Sequence, residues 1–137
     1  MQEKIEKKLL TLAKKAFKRD EIPVSAVIVK NNKIFSCAFN KKQKSHDVTG
    51  HAEILAIRKA TKKLKDWRLN GCDLYVTLKP CSMCCEVIKQ SRINKVYFYS
   101  EKLSTKKEYN KTKFINVQTN VSQELVGFMQ KIFKNKR

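Results

Sequence analysis

Residues 49–60, TGHAEILAIRKA, constrain the chain more than any other stretch. Ile54, Leu55, Ile57 and Ala60 recur at helical spacing, so a small domain must bury one side of this segment, yet its first turn carries His51 and Glu53. An unpaired carboxylate taken out of water costs several kcal/mol after relaxation. The helix therefore needs a partner at its start that makes a buried acid tolerable.

CSMCC supplies one candidate. Cys81 and Cys84 are three positions apart, so in the first turn of a helix they share a face and can grip one ion together. A helix N-terminus also lowers thiol pKa, which favours the thiolate that binds metal. If the helix near Thr49 aims the same way, His51 adds a third ligand, and three ligands of this kind leave tetrahedral zinc one position for water. Glu53 would then bond that water without being a ligand. Cys85 shares a face with Cys81 as well, but its expected place is as a small residue packed under the helix. Cys37 and Cys72 sit in apolar, strand-like surroundings and read as core residues.

The rest of the chain supports a single domain over residues 1–137, long enough to bury roughly two thirds of its unfolded surface. The spacing of Ile5, Leu9, Leu12, Ala16 and Phe17 predicts an amphipathic helix over residues 2–18. VSAVIVK and KIFSCAF read as a hairpin turned by Asn31 and Asn32, since asparagine accepts positive φ. A helix with Thr49 as its cap follows, running to about Leu64. Next come the strand DLYVTL, a short helix over 81–91 opened by Pro80, the strands KVYFYS and KFINVQ, and a closing helix carrying Leu125, Val126, Phe128, Met129, Ile132 and Phe133. That order implies an α/β fold, a mixed sheet of about five strands covered by helices on both faces.

Composition bears on partners. With 31 basic and 12 acidic side chains the formal charge is +19, which attracts polyanions and makes RNA or DNA a natural partner. A compositional origin is the alternative, because 26 of the 31 are lysines spread along the whole sequence. An odd count of five cysteines argues against a disulfide framework, and no apolar run reaches the length of a membrane span. The expectation is a soluble cytoplasmic protein with no membrane partner.

H-A-E at residues 51–53 followed by P-C-x-x-C at 80–84 resembles the signature of the zinc-dependent nucleoside and nucleobase deaminases, a match that general descriptions of base deaminases already contain. Within that family the chain most resembles bacterial tRNA-specific adenosine deaminases. DEIPVSAVIV is similar to their E-x-P-V-G-A-V stretch, with Ser25 where glycine is usual, and FNKKQKSHDVTGHAE and WRLNGCDLYVTLKPCSMC resemble two further stretches. The resemblance implies a cytidine-deaminase-like three-layer α/β/α fold. It implies that His51, Cys81 and Cys84 bind one zinc ion per subunit and that Glu53 shuttles protons. It places Asn40 against the nucleotide and Ile22, Pro23 and Leu78 around the base. It further implies deamination of adenosine to inosine at the wobble position of a tRNA anticodon stem-loop, by a homodimer. Beyond Phe98 the chain departs from the pattern, reading YSEKLSTKKEYNKTKF where the family has a glycine-rich loop, and Lys79 replaces a usual glutamate. Those departures keep a second expectation open, a deaminase of a free base, nucleoside or nucleotide such as cytosine, guanine, cytidine or dCMP.

Overall fold

The computed structural model describes residues 1–101 and 112–136. Helix α1 (Gln2–Lys18) leads into a hairpin of β1 (Ser25–Lys30) and β2 (Lys33–Phe39). Helix α2 (Ala52–Leu64), strand β3 (Cys72–Leu78), helix α3 (Ser82–Gln90) and strand β4 (Lys95–Ser100) follow, then β5 (Lys113–Asn116) and α4 (Asn120–Lys136). The sheet order is β2-β1-β3-β4-β5. β1 runs antiparallel to β2 and β3, whereas β3, β4 and β5 are parallel, so the sheet is mixed and five-stranded as expected.

Alternation along the strands explains the layers. Ala26 and Ile28 of β1, Leu74 and Val76 of β3, and Val96 and Phe98 of β4 face one side, where Ala52, Ala56, Ile57 and Ala60 of α2 and Ile88 of α3 complete a core. Val27, from the opposite side of β1, joins Ile5 and Leu9 of α1, Tyr99, and Leu125 of α4. Helices α2 and α3 thus cover one face and α1 and α4 the other, the three-layer α/β/α arrangement.

Asn31 and Asn32 take φ of 51° and 61°, the left-handed pair that a two-residue hairpin turn requires. A buried polar knot ties the second helical layer together. Tyr99 donates to Glu6 Oε2 at 2.9 Å, and the Thr119 hydroxyl donates to the same carboxylate from the segment leading into α4. Burial pushes the Tyr99 hydroxyl's pKa well up, and its bond to Glu6 adds to that.

Two helix starts differ from expectation. The cap of α2 is His51, because the helix begins at Ala52; Thr49, two residues before the cap, donates its N–H and hydroxyl to Asp47 Oδ1. The cap of α3 is Cys81, which leaves Pro80 outside the helix instead of in its first turn. Most of the segment expected to replace the family's glycine-rich loop lies outside the described residues.

Candidate metal centre and active site

Helices α2 and α3 are the parallel-crossover elements on one face of the sheet, and both begin at the same end of the molecule. Their caps, His51 and Cys81, have extended backbones, with ψ of 145° and 172°. Each side chain therefore leaves its helix at the first turn, the Cys81 sulfur staying near the Met83 and Cys84 amides and the His51 ring making no cap bond. That leaves imidazole and sulfur free to meet. His51 Nδ1 lies 3.8 Å from Cys81 Sγ and 3.5 Å from Cys84 Sγ. All three ligand atoms fall within 4.8 Å of one another.

These distances test the fit to zinc. Bonds of about 2.3 Å to sulfur and 2.0–2.1 Å to nitrogen at a tetrahedral angle place S and N about 3.6 Å apart. The two observed separations bracket that figure. The donors also differ in access, since Cys84 is buried, His51 half-buried and Cys81 exposed, so the centre opens to solvent on one side.

Electrostatics favour a cation there. The Cys81 thiol is drawn down to about 5, first by a hydrogen bond from the Cys84 side chain, with help from the backbone N–H groups of Cys84 and Met83 at the start of α3. Donating that bond, together with burial, pushes the Cys84 thiol well up. The pair shares one proton where two thiolates would hold a metal ion.

Glu53 completes the site. It occupies the first turn of α2, is 3% exposed, and its Oε1 finds no hydrogen-bond partner among the described residues. Burial pushes the carboxyl up to about 7 and nearby Cys81 adds to the rise, against the lowering effects of Glu53's own backbone N–H and the Cys84 side chain. A buried carboxylate oxygen without a donor, beside a cluster of metal-binding atoms, is a place for a water or substrate proton.

Asn40 has a position that sequence patterns do not reveal. It follows β2, is buried, and its Oδ1 accepts the Ala52 N–H at 3.2 Å. It thereby satisfies one of the orphan amides of α2 from twelve residues away, the service that His51 as cap does not perform. Replacing Asn40 with alanine should cost about 1–3 kcal/mol by leaving that amide unpaired. Asn40→Asp, which keeps the acceptor, should restore most of the loss, as thermal unfolding of the two variants will read. Equal destabilisation by both would show that the bond contributes nothing.

Asn40 also lines a cavity of about 240 Å³ together with Ile22, Pro23, Glu21 and, from α4, Ile132 and Phe133. Three of the four expected base-wall and nucleotide positions are thus brought together. Leu78 is not in that lining; it sits half-buried at the end of β3 against the α2–α3 core. The spacing of Ile132 and Phe133 predicts only a place in the closing helix, and no local signal in the sequence points to their place in this cavity. Cys85 is buried, its thiol donates to the Pro80 carbonyl at 3.5 Å, and it is not part of the cluster formed by His51, Cys81 and Cys84.

Residues 1–100 match the family model of the cytidine and deoxycytidylate deaminase zinc-binding region. A tRNA-specific adenosine deaminase of Buchnera aphidicola subsp. Schizaphis graminum is 37% identical over 126 residues, covering 85% of this chain and 83% of that protein. Other relatives share a shorter stretch, and the chain spans 57% of the length of the Aquifex aeolicus tRNA-specific adenosine deaminase. Among solved structures, one from a study of A-to-I editing by tRNA:A34 deaminases at the wobble position is 32% identical, with a TM-score of 0.72 over 83% of this chain and 99% of that one. Guanine deaminase from Bacillus subtilis is 30% identical, with a TM-score of 0.69 over 97% and 93%. The ligand cluster, the buried acid beside it and the match across residues 1–100 agree, and the chain belongs to the cytidine and deoxycytidylate deaminase zinc-binding family.

Proposed function

We propose that this chain is one deaminase domain that converts adenosine to inosine at the wobble position of a tRNA anticodon, taking up water and releasing ammonia. The observation that carries the chemistry is Glu53 Oε1, buried without a donor beside His51, Cys81 and Cys84. The substrate rests on the likeness to tRNA-specific adenosine deaminases and on the charge of +19.

His51, Cys81 and Cys84 would hold one zinc ion per subunit, which when bound supplies a Lewis acid able to bring the pKa of water toward 7. Glu53 accepts the proton of the attacking water at its free Oε1. The same carboxylate delivers that proton to ring N1, then takes the second water proton from the new C6 hydroxyl and passes it to the amino group, which leaves as ammonia, a shuttle suited to an acid whose pKa burial has pushed up to about 7. Ile22 and Pro23 wall the cavity that receives the base, and Asn40, which lines it with them, faces the ribose. The base must leave its stack to enter, which an anticodon loop permits at low cost. We place the protein in the cytoplasm with its tRNA, as a homodimer.

The guanine deaminase likeness favours a second reading, a deaminase of a free base. One assay separates the two. Purified, zinc-loaded protein should convert an anticodon stem-loop adenosine to inosine, read by mass spectrometry. Ammonia released from guanine, cytosine, cytidine or dCMP, with the stem-loop unchanged, would overturn the tRNA reading.

A further inference from the structure

The active site uses only one end of α2. At the other end the helix stops at Lys65, whose φ of 59° turns the chain sharply, and Asp66, Trp67 and Arg68 lead toward β3. Trp67 is 55% exposed. The Arg68 guanidinium carbon lies 5.1 Å from the Trp67 ring centroid, and that of Arg92, just beyond α3, lies 5.4 Å away. The ring borders an open depression of about 530 Å³ lined by Thr61, Lys62, Lys65, Asp66, Trp67 and Arg68. Asp66 is the lone acid in that lining, and Arg68 holds it at 3.1 Å. Cations therefore prevail around one exposed indole.

The chemistry of this patch selects its partner. Indole faces and guanidinium planes stack unpaired bases, and flanking lysines neutralise phosphates. A second copy of this chain is a poor occupant, because a two-fold contact would set the same lysines and arginines against themselves, and protein interfaces are depleted in lysine. Among the described residues no other large apolar side chain lines the depression.

We propose that Trp67, Arg68 and Arg92 form a second RNA contact, in which an unpaired base stacks on the indole while Lys62 and Lys65 meet the neighbouring phosphates. Helix α2 has 13 residues, so about 20 Å separates this patch from His51. A free nucleoside in the active site cannot reach it; a polynucleotide can. The inference rests on the tRNA reading only for which RNA is bound.

Trp67 is the sole tryptophan, so its emission reports on the patch directly. Titrating the zinc-loaded protein with a single-stranded oligoribonucleotide should quench that emission to saturation, while inorganic polyphosphate of equal charge leaves it unchanged. Trp67→Ala should weaken binding of the oligonucleotide about five- to a hundred-fold, as loss of one base stack predicts. Trp67→Phe should retain most of the affinity, and deamination of free adenosine, if the enzyme accepts it, should be the same in all three proteins. Binding with no quench, or equal quenching by polyphosphate, overturns the proposal. So does an emission shift that depends on protein concentration alone, which would make the patch a contact between copies. A protein that quenches yet leaves the stem-loop adenosine intact refutes the wobble substrate and not this contact.

Discussion

Glu53→Gln leaves zinc bound and removes turnover, with kcat falling about 10²- to 10⁴-fold, the range lost with a positioned general acid and base. Glutamine has the same shape and fills the same buried volume, so the fold is undisturbed. It cannot accept the water's proton at the position of Oε1, which lacks any other partner among the described residues. A second consequence has the opposite sign. Glu53 is ionised at some cost, because burial holds its pKa near 7. The neutral amide is easier to bury, and the metal-free variant should melt no lower than the metal-free parent. Activity is measured as inosine formed per zinc-loaded subunit, with zinc content determined on the same sample. Turnover within a few-fold of the parent would remove Glu53 from the chemistry.

Cys84→Ala has the other large effect, loss of the metal and of activity together. Cys84 is the buried member of the ligand set and lies 3.5 Å from His51 Nδ1, so it cannot be replaced by a ligand from bulk solvent. The parent should gain about 2.7 kcal/mol when free zinc reaches a hundred times its dissociation constant, and the variant should gain far less at the same concentration. Elemental analysis and melting with and without a chelator give the two readouts. Full zinc occupancy in Cys84→Ala would mean that another sulfur serves. Cys85 is the neighbour to test next, although its thiol faces the Pro80 carbonyl.

The chemistry-bearing residues were legible because each is tied to a local pattern. His51 and Glu53 open an amphipathic helix, Cys81 and Cys84 open another, and a strand between them sets their distance apart in space. Helix periods and the paired asparagines likewise placed the nine elements among the described residues to within a few positions, since apolar spacing and positive φ are local properties. What was hidden depends on residues distant in sequence. Thr49 looked like a cap, but Asp47 competes for its N–H and hydroxyl, and the first amide of α2 turns instead to Asn40 on the far side of a loop. Ile132 and Phe133 carried the period of a buried helix face, and nothing in that period says that the face ends at a cavity. Trp67 and the adjacent Arg68 belong to one family-like stretch, while the second guanidinium, Arg92, comes from beyond α3 and only the fold brings it to the ring.

The knot between Glu6, Tyr99 and Thr119 joins the first helix to the segment that leads into the last. Every metal ligand lies before residue 85, but α4, which walls the cavity, is anchored to the first helix only after Thr119 has been made. A chain cut before Thr119 would therefore keep every candidate ligand and lose both the α4 wall of the cavity and one arm of the knot.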